Sequence, residues 1–233
     1  MGVKTPRVII IRHGQTEWSK KGCFTSVTDL PLIKEGAEMV AKDGAIGVGP
    51  GHLIDPAQVK HIFVSPRLRA HQTMDLFLHD KKWSISPERI STDERCQEWN
   101  YGLYEGWLTS QINEHRKKVG LPTPFVITKH GCEHGESPQQ ITERLDSLIA
   151  DIRKLHKECF ENQDPCNDIL VFAHGHSLRM FVLRWLGIPL ENYIPMLMPA
   201  GGLGVLSYAH DNIDEPALEV GFHLSSFENQ SLS

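Results

Sequence analysis

An α/β fold, with helices layered on a mostly parallel sheet, is what the sequence predicts, from three observations. The interiors of Arg7 to Arg12 (RVIIIR) and Asp168 to Ala173 (DILVFA) are continuously apolar, as in strands buried on both faces. Helix-start signals stand at Ser65-Pro66 and at Ser137-Pro138-Gln139-Gln140. Strand and helix signals alternate along the chain with no repeat and no low-complexity linker.

Taken in order, Arg7 to Arg12 is the first strand. Pro31 to Val48 reads as a loop and then a modest helix fading into the glycine-rich run Gly44 to Gly51. Lys60 to Val64 is a short strand. Ser65 as N-cap and Pro66 at the first helical position then predict a helix to about His79. Arg89 to Thr92 is a short strand before the polar segment Cys96 to Gly106. Ser137 and Gln140 make a capping box, and Ile141, Leu145, Leu148, Ile149, Ile152, Leu155 and Cys159 fall on one helical face. Asp168 to Ala173 is the second buried strand, running into an apolar helix through Leu186 that Gly187 ends and Pro189 keeps from renewing. Gly204 to Ala209 and Ala217 to Leu224 read as strands, and the tail Ser225 to Ser233 is expected to fray. Ala45 to Pro56 and Gly120 to Gly135 read as insertions on one domain spanning residues 1–233.

The 233 residues are 40% hydrophobic, enough for a substantial core. A net charge of −5 argues against a general nucleic-acid binder. Five cysteines without paired spacing argue against a disulfide framework or a zinc site, and for a reducing compartment. No apolar run is long enough to cross a membrane, and Met1 to Arg7 carries no apolar segment with a cleavage site. The expectation is a cytoplasmic protein with no nucleic-acid or membrane partner; its oligomeric state is open, a homodimer being one allowed state.

Both buried strands end in histidine-glycine, as Arg12-His13-Gly14 and as His174-Gly175-His176. In one parallel sheet both histidines would emerge at the same edge, where open α/β sheets bind ligands. A strand-end imidazole there is expected to be exposed. Arg12 and Arg69 can each grip phosphate with a planar fork, and Arg67 lies near the same helix start, where anions are favoured. An imidazole whose other nitrogen is held by a hydrogen bond can attack phosphorus. The leaving alkoxide needs a proton, and Glu98 is the available acid. To serve near neutral pH it would need a raised pKa, from burial or from phosphate charge.

RHGQTEW, SPRLRAHQT, QEWNYGLYEG and AHGHSLR, in that order, resemble the signature segments of the histidine phosphatase superfamily. The resemblance is closest to the fungal sedoheptulose-bisphosphatase branch, with GCEHGE, FAHGHSLR and GVLSYAHDNIDEPALE extending it almost to the end of the chain. It implies a phosphoglycerate-mutase-like three-layer sandwich and a phosphatase working through a phosphohistidine on a phosphorylated sugar, with sedoheptulose bisphosphate as the model substrate. It implies no metal and no organic cofactor.

By the same resemblance His13 is the nucleophile, Arg12, Arg69 and His174 are phosphate-pocket residues, and Glu98 is the proton donor. Substrate contacts are expected from Ser19, Thr25, Ser26, Arg67, Tyr101, Gly175 and His176. A second phosphate needs its own cations, and Arg67, Lys20, Lys21, Lys129 and His134 are the candidates. Cofactor-dependent mutases carry an arginine after the catalytic glutamate and an asparagine six residues after the nucleophile; here these are Trp99 and Ser19. Losing that cation favours water as acceptor. Phosphoglycerate mutase and a broad-specificity phosphatase of another ester remain the alternatives. The sedoheptulose branch has a long insertion where this chain has only Gly187 to Ala200, which bears on bisphosphate specificity.

Overall fold

The computed structural model describes residues 5–78 and 85–221. β1 (Arg7–Arg12) is followed by α1 (Glu17–Lys21) and α2 (Lys34–Gly47), then β2 (Val59–Val64), α3 (Leu68–Phe77) and β3 (Ile90–Thr92). The chain continues through α4 (Thr109–Lys118), α5 (Ile127–His130) and α6 (Pro138–Asn162), then β4 (Asp168–Ala173), α7 (Gly175–Trp185), β5 (Leu203–Tyr208) and β6 (Pro216–Glu219). The strands form one sheet in the order β3-β2-β4-β1-β5-β6. β3, β2, β4 and β1 are parallel to their neighbours, whereas β5 and β6 join antiparallel. The chain is thus α/β with a mostly parallel sheet.

Successive strand residues face opposite sides. Val8, Ile10, Ile169 and Val171 pack in one apolar cluster with the buried faces of α6 and α7. Ile9, Ile11, Leu170 and Phe172 pack in another with Val40 of α2 and Met74 and Phe77 of α3. These are the three layers. Among the described residues no helix is long and apolar enough to cross a membrane.

The capping box at Ser137 forms as expected: Ser137 Oγ accepts from the Gln140 amide at 3.2 Å, and Gln140 Oε1 accepts from the Ser137 amide at 2.8 Å. The Ser65-Pro66 signal misleads. α3 begins at Leu68, and the Leu68 amide donates to Asp29 Oδ1 at 2.8 Å. The cap is supplied from a distant loop, and the Ser65 hydroxyl reaches only the Arg67 amide of this turn, at 3.5 Å. The expected helix end at His79, the strand end at Leu224 and the tail lie outside the described residues.

α2 approaches the end of α3 so closely that a Cβ on Gly44 would sit 2.3 Å from the Phe77 carbonyl oxygen. Backbone cannot yield as a flexible side chain does. Gly44→Ala should therefore lose about 1–3 kcal/mol despite alanine's better helix propensity. A denaturant midpoint equal to or above wild type would contradict this.

Candidate active site

The register of β1 on β4 builds the site. Arg12 pairs with Ala173, so His13 and His174 leave the sheet side by side. Their rings lie 5.1 Å apart in an edge contact. Gly14 is required behind them, because a Cβ there would meet Val40 at 2.7 Å.

His13 is only 5% exposed, which corrects the expectation of an exposed imidazole. Burial, with Arg69 and Arg12 acting the same way, pushes it down to about 3, so the ring is neutral at pH 7. Nδ1 lies 2.7 Å from the Gly14 carbonyl, which can only accept. The proton is therefore on Nδ1 and the lone pair on Nε2.

A pocket of about 160 Å³ opens over His13. Of the residues singled out in the sequence, Arg12, Ser19, Thr25, Glu98, Tyr101, Gly175 and His176 also line it. Arg12 Nη1 donates to the Met198 carbonyl at 2.7 Å, while Arg12 Nε is buried with no partner among the described residues. A Cβ on Gly175 would lie 3.2 Å from Arg12 Cζ, so glycine there lets the guanidinium lie against the start of α7. Tyr101 Oη and His176 Nδ1 are 2.6 Å apart. The Ser19 hydroxyl is engaged by Thr16 in the box that caps α1.

Four expected members do not line the pocket, and each has a local reason. Arg69 is fully buried and donates to the carbonyls of Thr25 at 3.3 Å, Ser26 at 3.1 Å and Thr28 at 3.0 Å. Its Nε donates to His174 Nδ1 at 3.2 Å, which leaves His174 Nε2 to donate to Ser65 Oγ at 2.7 Å. Both thus stand behind His13, holding the 25–28 loop and the end of β2. Ser26 turns to Glu105, whose carboxylate also takes the amides of Ser26 and Thr28. Arg67 turns to Gln97 Oε1 at 2.6 Å.

Among the suggested cations, Lys21 pairs with Glu17 at an exposed position, and neither Lys20, Lys129 nor His134 lines the pocket. Arg179 does line it, and it was not anticipated. It donates from Nε to the Gly175 carbonyl at 2.9 Å and from Nη1 to Tyr193 Oη at 3.4 Å. Its signal was present in AHGHSLR: four residues after Gly175, it falls on the same helical face. Tyr193 and Met198 bring the short 187–200 segment onto both pocket arginines.

Of the two routes to a protonated Glu98, burial alone does not suffice. Burial pushes its carboxyl up, but the His176 ring, while protonated, and the amides of His176, Trp99 and Ser177 together outweigh this and leave it below the usual carboxylate range. The amides of Ser177 and His176 reach it at 2.8 and 3.0 Å, so it caps α7. Without phosphate it is a carboxylate.

His13, His156 and His176 all titrate low, at about 3, about 3 and about 4, with burial the leading cause. Unfolding restores values near about 6.5, so the unfolded chain binds more protons between those limits. The stability conferred by keeping the rings neutral is complete above that range and is lost as pH falls through it. Denaturant midpoints should drop steadily below about pH 6.5; a midpoint unchanged from pH 7 to pH 4.5 would be incompatible with buried neutral imidazoles.

The family model of the histidine phosphatase superfamily (branch 1) matches residues 8–218. Sedoheptulose 1,7-bisphosphatase of Saccharomyces cerevisiae is 42% identical, over 93% of this chain and 92% of that protein. Acid phosphatase of Mycobacterium tuberculosis is 30% identical over 90% of each. A solved structure of an open-reading-frame product from the same bacterium superposes with a TM-score of 0.73 at 27% identity, covering 93% of this chain and 97% of that one.

Proposed function

The chain belongs to the histidine phosphatase superfamily, branch 1, and from that premise we propose that it releases phosphate from a sugar bisphosphate through a phosphohistidine. That it is a phosphatase of phosphate monoesters follows from the family and from its relatives. The substrate class and the residue roles are our reading.

In this reading His13 Nε2 attacks phosphorus while Arg12 neutralises the equatorial oxygens, a role its unpartnered Nε fits. Glu98 gives its proton to the departing sugar oxygen. Water then attacks the phosphohistidine, and Glu98 takes a proton back. The ionised resting state of Glu98 is reconciled by the substrate itself: a phosphate carrying about −1.5 to −2 charge beside it raises its proton affinity. Behind this front, Arg69 and His174 hold the pocket's shape and charge.

One structural observation carries the bisphosphate reading. Arg179 lines the same pocket as Arg12, so a second guanidinium is in place for a second phosphate. The 42% identity to a sedoheptulose 1,7-bisphosphatase points to the same class. The position after Glu98 is Trp99, fully buried with its indole N–H on the Glu136 carbonyl, so this position does not supply the cation that cofactor-dependent mutases carry there.

Phosphate release should be measured across sugar mono- and bisphosphates, with and without 2,3-bisphosphoglycerate. The expected result is preference for a bisphosphate such as sedoheptulose 1,7-bisphosphate, without effect of the primer. Preference for monophosphates would remove the bisphosphate reading, and primer-dependent isomer exchange would replace it with a mutase.

A further inference from the structure

The Glu98 carboxylate is held in front by the amides of α7, but its main chain belongs to an irregular segment that must be fixed from elsewhere. Behind it lies a second cavity of about 370 Å³, lined among others by Glu136 and Arg144. Arg144, seven residues beyond the Ser137 cap on α6, points its guanidinium at the back of this segment. Nη1 donates to the carbonyls of Arg95 at 2.8 Å and Gln97 at 3.1 Å, and Nη2 donates to the carbonyl of Glu98 itself at 3.3 Å. The same guanidinium forks onto the Glu136 carboxylate through Nε and Nη2.

Glu136 extends the grip. Its Oε2 accepts from the Asn100 amide at 2.9 Å and its carbonyl from the Trp99 indole at 2.8 Å. Its own amide donates to the Asn100 carbonyl at 2.8 Å. The Arg144 and Glu136 side chains are only 17% and 16% exposed, so the pair is more than a solvated surface contact.

We propose that Arg144, oriented by Glu136, is a positioning residue for the proton donor Glu98. The proposal rests on the reading of Glu98 as the acid. In the first step the bond from His13 Nε2 to phosphorus forms as the ester P–O bond breaks. The electron pair leaves on the ester oxygen, and the Glu98 proton goes to that oxygen. A carboxyl displaced by about 1 Å transfers that proton poorly, with losses on the order of 100-fold. The electrostatic grip on the phosphoryl group is untouched by such a displacement.

Leaving groups separate this role from a merely structural one. A sugar alkoxide cannot leave without the proton, whereas p-nitrophenolate can. Arg144→Met should lower kcat on sedoheptulose 1,7-bisphosphate by about 10–100-fold, short of Glu98→Gln at about 10²–10⁴-fold, and leave kcat on p-nitrophenyl phosphate within a few-fold of wild type. Partial unfolding would depress both substrates equally, so their ratio is an internal control. Arg144→Lys keeps the charge without the fork; it should fold normally and still show most of the discrimination. Equal losses on the two substrates in both variants, or no loss in either, would overturn the proposal. If Glu98→Gln itself fails to discriminate, the acid assignment is what fails, and the role of Arg144 falls with it.

Discussion

Replacing His13 with alanine should reduce phosphate release on the order of 10⁴-fold or more, because in the proposed mechanism this imidazole carries the phosphoryl group. Its Nε2 carries the lone pair, since Nδ1 is committed to the Gly14 carbonyl. His174 cannot substitute: both of its ring nitrogens are engaged, by Arg69 and Ser65. The imidazole is buried, so removing it also leaves a small void and an unpaired carbonyl, at about 1–3 kcal/mol. That leaves a folded protein on which the loss of turnover can be read. Rapid quenching of wild type should trap an acid-labile phosphoenzyme that is absent from the variant. A His13→Ala protein within tenfold of wild-type activity would end the phosphohistidine reading.

The largest stability effect is expected at the other end of the same strands. Arg7 and Asp168 face each other across the first register pair of β1 and β4. Arg7 Nε donates to Asp168 Oδ1 at 2.9 Å and Nη2 to Oδ2, while Nη2 also reaches the Leu53 carbonyl at 3.0 Å. Asp168 is fully buried. Asp168→Ala strands a buried guanidinium and should cost about 3–5 kcal/mol, a large share of a typical domain's stability. Removing both charges, as Arg7→Met with Asp168→Leu, should recover much of that loss. The site lies about 17 Å away along six-residue strands, so kcat of the folded fraction should hold. An Asp168→Ala midpoint within the error of wild type would show the pair to be dispensable.

These two sites differ in how far the sequence exposes them. β1, β4 and α6 are legible because their signals are local: an all-apolar run, or a cap followed by a one-faced stripe. α4 is not legible, because only Ile112 and Arg116 of its ten residues are buried, which leaves no apolar period to find. The Ser65 cap misled because a serine signals its capping capacity, not its partner, and His174 takes this one. Of the twelve residues singled out, eight line one pocket, whereas Arg179 and the contacts of Arg69, His174, Ser26 and Arg67 were not legible. His13 and Arg12 come from one strand end, so their joint placement follows from the strand. Arg69 and His174 depend on which acceptors the 25–28 loop and β2 offer, and that is tertiary information. The resting charge of Glu98 is tertiary information too, since two of the three amides that ionise it belong to a helix nearly eighty residues later.

Arg69 grips the neighbouring loop through the carbonyls of residues 25, 26 and 28, and a carbonyl is the same whatever side chain it accompanies. The identities at 25 and 28 can therefore drift without loosening this anchor, while Thr25 itself looks into the cleft. Such a chassis lets descendants, or a designer, retarget the enzyme to a different ester by changing what the loop displays while its framework stays put.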